Sequence, residues 1–362
     1  MIFQWYLFVI LFGVYLFSHR SSQIYTIEIA GEKETRVKWF PVLVMVAVLT
    51  YVAATRDPNI GDTSAYMTMF RRESSELADI PAAFVSDGKD RGFAAFTILV
   101  KHLIGDRVEL YFGIIAGFCL ICVLGVYRKY SCNFFITVFL FLASGEYVQW
   151  THNGMRQFIA VSMIFAATSL LLQKRYTHFF AVVLAASMFH ASALIMIPMS
   201  FVVQGKPWNH KTVLFMLVVL IAVSSVDTLT GAITNLMENT QYAGEVGQFL
   251  ETGGTNVLRV LVFCIPPMLS LFFRKWCPEG DPLYDLCVNM SIASMGTYIV
   301  SMFTSGIFVG RMPVYFSLYN YMLLPSVIQR SFEKRSANLI LLLVMGCYMV
   351  YYYYQMHVVW GL

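Results

Sequence analysis

Apolar blocks too long for any soluble core set the terms on which this chain can fold. Val108 to Val126 and Val257 to Phe273 each carry a single charged side chain, Glu109 and Arg259. A helix that crosses a bilayer needs about 17–25 predominantly apolar residues. Blocks of that kind recur near 1–18, 39–54, 108–126, 133–150, 155–173, 211–226, 257–273, 286–304, 311–328 and 337–356. Of the 362 residues, 58% are apolar and 13% are charged. A soluble chain would carry about a quarter charged residues. The pattern excludes a soluble enzyme, a nucleic-acid-binding module and a disulfide scaffold. It predicts an all-α polytopic integral membrane protein, one multi-pass domain over 1–362.

The segment 176–203 is too long for one ordinary crossing and short for two. With His190 in its middle, it reads as two short or broken helices, which brings the expected total to twelve. Polar groups at such a break need protein or a water-filled cavity around them. Met1 to Phe17 lacks the basic leader and small-residue cleavage site of a signal peptide, so it counts as the first span.

Charge sets the orientation. With the N-terminus outside, the inside loops hold 15 basic residues, among them Arg20, Lys38, Arg128, Lys129, Lys174, Arg175, Arg274 and Lys334. The loop 227–256 has none but carries Asp227, Glu238, Glu245 and Glu251. This asymmetry predicts both termini on the outer side. The long outer loop 55–107 holds Arg56, Arg71, Arg72, Lys89, Arg91, Lys101 and Arg107, and long loops cross regardless of charge. Arg156, Arg259 and Arg311 stand at outer span ends. Arg156 and Arg311 open otherwise apolar helices, where an ionisable group is a functional candidate. None of the seven cysteines falls in an outer loop, and the Cys119–Cys122 pair inside a span reads as small core residues.

No phosphate-binding glycine loop, metal-ligand motif or cofactor motif is present, so the polar residues have to be read as constellations. Arg56 to Asp62, with Pro58 and Gly61, marks a turn. A surface helix is expected from there to about Glu76, with Tyr66, Met69, Phe70 and Leu77 on its apolar side. Asp62 is either its N-cap, worth about 1 kcal/mol, or a carboxylate at a cavity mouth. Asp90, Arg91, Gly92 and Phe93 open an apolar helix to about Ile104, too short to span and therefore interfacial or re-entrant. Glu146, Tyr147, Trp150, His152, Asn153, Met155, Arg156 and Gln157 crowd one outer turn, a density that calls for a wet or ligand-filled site. Phe189 and His190 lie at the helix break ahead of Pro198. Gly310, Arg311, Met312, Pro313 and Tyr315 begin a later span.

Four of these runs stand together in a recognisable order: Arg56 with Asp62, Thr63 and Tyr66; Asn153-Gly154-Met155-Arg156-Gln157; Phe189-His190 with Pro198; and Gly310-Arg311 with Tyr315. In this the chain resembles the EpsG family of Wzy-like polysaccharide polymerases over roughly residues 50 to 325. Asp90-Arg91-Gly92-Phe93 departs from the expected acidic residue, Pro, Gly and aromatic by having Arg where Pro would stand.

The resemblance implies a glycosyltransferase that joins undecaprenyl-diphosphate-linked oligosaccharide repeat units at the outer face of a bacterial cytoplasmic (inner) membrane. Capsule, exopolysaccharide or O-antigen would be the product. A chain-length regulator and a flippase are the partners such a role would bring, with no nucleic acid. The residues agree with this chemistry. A diphosphate leaving group needs fixed cations, and Arg offers paired donors to phosphate oxygens. Arg156 and Arg311 are the first choices as diphosphate binders, then Arg56 and Arg91. Tyr66, Asn153, Gln157 and Tyr315 complete the expected binding set. A base for the acceptor hydroxyl would be His190, Asp62 or Glu146. The expected reaction is metal-independent and needs no cofactor. The alternatives are an O-antigen-ligase-like transferase using the same chemistry, and a transporter or flippase of lipid-linked sugars. Against the last, no internal repeat with matching broken helices is visible.

Overall fold

The computed structural model describes residues 4–29, 32–85, 90–225, 231–232, 234–236, 253–277, 280–306 and 309–361. Lys89 and most of the acidic loop 227–256 lie outside the described residues. The chain divides into two compact units, Met1–Leu194 with Asn338–Leu362, and Ile195–Ala337.

The first unit holds α1 (Tyr6–Arg20), a hairpin of β1 (Ile24–Ile29) and β2 (Glu32–Val37), α2 (Trp39–Ala54), α3 (Thr63–Arg72) and α4 (Ile80–Val85). It continues with α5 (Arg91–Ile104), α6 (Val108–Tyr130), α7 (Phe134–Ala143), α8 (Glu146–His152), α9 (Met155–Ala166), α10 (Thr168–Leu172) and α11 (Tyr176–Ser187). In the second unit are α12 (Met196–Val202), α13 (His210–Ser224), α14 (Val257–Phe272), α15 (Pro282–Phe303), α16 (Val314–Ser317) and α17 (Asn320–Ser331). The last helix, α18 (Lys334–Tyr354), ends in a π-helical turn at Gln355–Val359.

Among the described residues, three helices are long and apolar enough to cross a membrane: Val108–Tyr130, Pro282–Phe303 and Lys334–Val359. The bent pair α7 and α8 supplies a fourth. Shorter apolar helices such as α1, α2, α9, α11, α13 and α14 accompany them. This is an all-α, multi-pass membrane protein, with one small hairpin among the described residues.

In the first unit α2 packs along α6, α6 against α9, and α9 against α11. Lipid is as apolar as leucine, so close approach and polar contacts hold such helices together. Gly113 and Gly117, one turn apart on α6, supply the close approach. A Cβ added there would lie 3.6 Å from the Ala54 Cβ and 3.5 Å from the Thr50 Oγ1 on α2. The Tyr147 hydroxyl donates to the Leu49 carbonyl at 2.6 Å, which ties α8 to α2. In the second unit α15 is the buried centre, packed on α13, α14 and α17. Its Asn289 amide donates to the carbonyls of Val203 (3.1 Å) and Gly205 (2.9 Å).

The structure corrects several expectations. The span predicted over 133–150 is broken between α7 and α8, with a 61° bend. Gly145 at φ +78° cannot continue a right-handed helix, and the Ser144 and Gly145 amides close the end of α7 on Leu140 and Leu142. The span predicted over 311–328 is a 3-10 turn at Val309–Arg311 followed by α16 and α17. Pro313, which has no N–H, separates turn from helix. The surface helix expected to reach Glu76 stops at Arg72, where the Lys101 ammonium donates to the carbonyls of Arg71 (2.7 Å) and Glu73 (2.8 Å). Leu77 therefore falls outside that helix and is exposed, while Tyr66 and Phe70 are buried. Asp62 occupies the N-cap position of α3, but its side chain makes no capping bond. The hairpin at 24–37 stands where a plain inside loop was expected, and its Arg36 is buried and donates to the Ser131 carbonyl. Two expectations match closely: α5 runs Arg91–Ile104, and the 176–203 segment breaks at His190.

Candidate functional site

Short helices and tight turns of the first unit gather its polar residues. α8 lies between two glycines in the left-handed region, Gly145 and Gly154 (φ +65°). The second of these turns the chain sharply enough that Arg156 and Gln157 leave on the first turn of α9. Asp90, itself left-handed at φ +55°, opens α5. Its carboxylate Oδ2 meets the Arg156 Nη1 at 2.8 Å. The Asp90 side chain is 6% exposed and that of Arg156 is 34% exposed, so the guanidinium is anchored while part of it stays uncovered.

Gly92 brings this helix start to the break after α11. Its amide donates to the Met188 carbonyl at 2.8 Å, and a Cβ there would lie 2.7 Å from the Met188 Cβ and 2.9 Å from its carbonyl oxygen. Only glycine fits. Phe96 and Phe189 meet edge to face beside it, with ring centroids 6.0 Å apart. Just beyond the break the His190 Nδ1 lies 2.6 Å from the Ser192 Oγ, and the Gln157 Nε2 donates to the same oxygen at 3.3 Å. The Asp90–Arg156 pair and the Gln157–Ser192–His190 contacts thus hang on the adjacent residues 156 and 157, and residues from three helix ends take part in them.

The preceding residues hold a second turn. The Asn153 Oδ1 accepts from the Asp62 amide at 2.8 Å, and Gly61, at φ +59°, leaves no room for a Cβ against the Asn153 amide. Arg56 donates to the Thr151 carbonyl and, at 2.8 Å, to the Met155 sulfur, with its guanidinium 3.6 Å from the centre of the Phe112 ring. Burial lowers its pKa to about 10, against the upward pull of Tyr66, Tyr147 and Tyr111, so it stays cationic at neutral pH. Arg56 and His152 border a cavity of about 690 Å³.

The other candidates from the sequence sit as follows. Tyr66 is buried against Phe93, 6.5 Å between ring centres. Glu146 is fully buried and accepts from the Trp150 indole N–H at 2.6 Å. Arg91 is exposed on the first turn of α5. Arg311 and Tyr315 belong to the second unit. There Arg311 closes a turn whose Val309 and Gly310 amides both donate to the Ser305 carbonyl at 3.0 Å, and Tyr315 is buried. Among the described residues no three His, Cys, Asp or Glu side chains stand together as a metal site.

Sequence reasoning passed over Ser192 and left Asp90 without a role. The serine two residues after His190 was a visible signal. The pairing of Asp90 with a cation 66 positions later was not.

No curated protein and no solved structure matches the chain. The profile of the EpsG family matches residues 39–361, a stretch that contains Asp90, Arg156, Gln157, His190 and Arg311. The chain belongs to the EpsG family.

Proposed function

We propose that the protein is a Wzy-like polymerase that joins lipid-diphosphate-linked oligosaccharide repeat units on the outer face of a bacterial cytoplasmic membrane. In this reading the chain crosses twelve times, with both termini outside, and its product is a capsule, exopolysaccharide or O-antigen chain. The observation that carries it is the anchored, partly exposed Arg156 beside the Gln157–Ser192–His190 chain, in a chain of this family.

The chemistry follows from that arrangement. The acceptor hydroxyl oxygen attacks the anomeric carbon of the growing glycan, and the bond from that carbon to the diphosphate oxygen breaks. The leaving lipid diphosphate keeps the electron pair. Arg156 offers it charge-assisted hydrogen bonds at the point where negative charge grows. The Asp90 carboxylate fixes the guanidinium in advance, so little reorganisation is needed during the step. The hydroxyl proton goes to His190, whose ring is oriented by Ser192, which Gln157 holds in turn. Asp62 is the second candidate for that role, its backbone fixed on Asn153. Arg311 is the second cation in this reading. The required charge stabilisation is assigned to arginine without a metal ion.

The test is to supply purified protein in liposomes with lipid-linked repeats alone. A polymerase makes a ladder of products from this single substrate. A ligase makes none without its second acceptor, and a transporter forms no new glycosidic bond. Absence of a ladder from protein that is folded and supplied with intact repeats removes the polymerase reading.

A further inference from the structure

The cavity beside Arg56 is not used by the polar cluster, yet it is the kind of concave, mixed apolar and polar site that small ligands occupy. At about 690 Å³ it is within the 300–1,000 Å³ such sites span. It is bounded by the start of α1, the turn after α2, the end of α8 and the π-helical turn after α18.

Its chemistry is that of a polyol receptor. Trp5 and Tyr352 pack edge to face with centroids 5.1 Å apart, and the Tyr352 hydroxyl donates to the Gln4 Oε1 at 2.9 Å. Both rings line the cavity, but Tyr352 is only 2% exposed, so the half-buried Trp5 is the ring that offers apolar surface to the C–H side of a sugar. Asp57 and Asn59 lie on the facing turn, and the Asp57 Oδ1 accepts from the Asn59 backbone amide (2.8 Å) and side chain (3.0 Å). His357 adds a ring that can both give and accept hydrogen bonds, while the buried His152, whose Nδ1 is held by the Val148 carbonyl, keeps only Nε2 as an acceptor. Hydroxyl groups are donors and acceptors at once, so they match such a mixed lining.

Two other occupants fit less well. An anion would need free cationic donors, but the Arg56 terminal nitrogens already serve Thr151 and Met155, only its buried Nε is left, and the exposed Asp57 carboxylate in the same lining repels negative charge. An acyl chain would take Asp57, Asn59 and the two histidines out of water with nothing to bond to. We infer that this cavity is a carbohydrate subsite that holds an uncharged sugar of the lipid-linked substrate, beside the Arg156 cluster on the same 152–157 segment. This inference rests on the polymerase reading for the choice of glycan. His152 faces the cavity, and Arg156 and Gln157 follow it by four and five positions. Sugar and diphosphate of the substrates would thus be read from two stretches of one short turn.

The test pairs binding with turnover, using full-length protein in nanodiscs. The binding probe is the free oligosaccharide repeat released from its lipid by mild acid, titrated by calorimetry. The variants are Asp57→Asn and Asn59→Ala on the exposed turn, and His357→Ala from the opposite wall. The expected result is a Kd raised at least tenfold, a KM for lipid-linked repeats raised similarly, and kcat within twofold of the unsubstituted protein. If the unsubstituted protein makes ladders while all three folded variants keep Kd and KM within twofold, the subsite is wrong and the polymerase reading stands. If the probe binds and the variants weaken it, but no ladder forms, the polymerase reading falls and the subsite stands. If neither binding nor ladders appear, both fall.

Discussion

Replacing Gly92 by alanine separates the stability of the site from its geometry. The added Cβ would lie 2.7 Å from the Met188 Cβ and 2.9 Å from the Met188 carbonyl oxygen. Ordinary contact begins near 3.4 Å, so the start of α5 and the break after α11 must part by about 0.7 Å. Backbone cannot yield as a flexible side-chain tip can. Overpacking of this kind costs about 1–3 kcal/mol. The higher helix propensity of alanine returns roughly 0.5–1 kcal/mol. The net loss of stability is therefore roughly 0–2.5 kcal/mol, small enough for the protein to fold. Activity should respond far more, because a shift of about 1 Å in a reacting group can cost on the order of 100-fold in rate. Gly92 sits two residues from Asp90, which anchors Arg156, and touches the residue two before His190. The assay is ladder formation from lipid-linked repeats, normalised to folded protein, alongside thermal unfolding. Gly92→Ala should form ladders at least tenfold more slowly. Gly13→Ala, where nothing lies within 4 Å of the new Cβ, should leave the rate unchanged. Ladder formation by Gly92→Ala within twofold of the unsubstituted rate would refute the claim that this contact sets the site.

Asp90→Asn removes the charge that fixes Arg156. Because a third of the Arg156 side chain is exposed, the stability cost should be about 1 kcal/mol or less. The expected effect is on kcat, lowered about tenfold, measured in the same ladder assay. Trp150→Phe removes the indole N–H from the fully buried Glu146 and should lower stability by about 1–3 kcal/mol in chemical denaturation. For topology, alkaline phosphatase fused after Val359 should be active, and fused after Lys129 it should be inactive. The opposite pattern would reverse the assigned outer face.

Hydropathy made the helical membrane fold legible, because apolar length reports directly on the bilayer. It also located the break at His190, where the apolar run was too long for one crossing. It was blind to the break at Gly145, since a left-handed glycine costs nothing in hydropathy, and to the hairpin at 24–37, whose strands are only six residues each. At the site, Arg156, Gln157 and His190 were visible as costly polar residues in apolar surroundings. Glu146 had the same signature, and its burial and its bond from the Trp150 indole are tertiary features that a pattern of residue types does not disclose. The partners that complete the cluster, Asp90 and Ser192, depend on tertiary contacts that no local pattern encodes. The same holds for the cavity, where Trp5 and Tyr352 meet from opposite ends of the sequence.

The most direct measurement is ladder formation by Arg156→Ala, purified and reconstituted with lipid-linked repeats beside the unsubstituted protein. If Arg156 holds the leaving diphosphate, the unsubstituted protein makes a full ladder. Arg156→Ala then makes none, at equal protein level and with an unfolding midpoint close to that of the unsubstituted protein. A full ladder from Arg156→Ala would contradict the assignment.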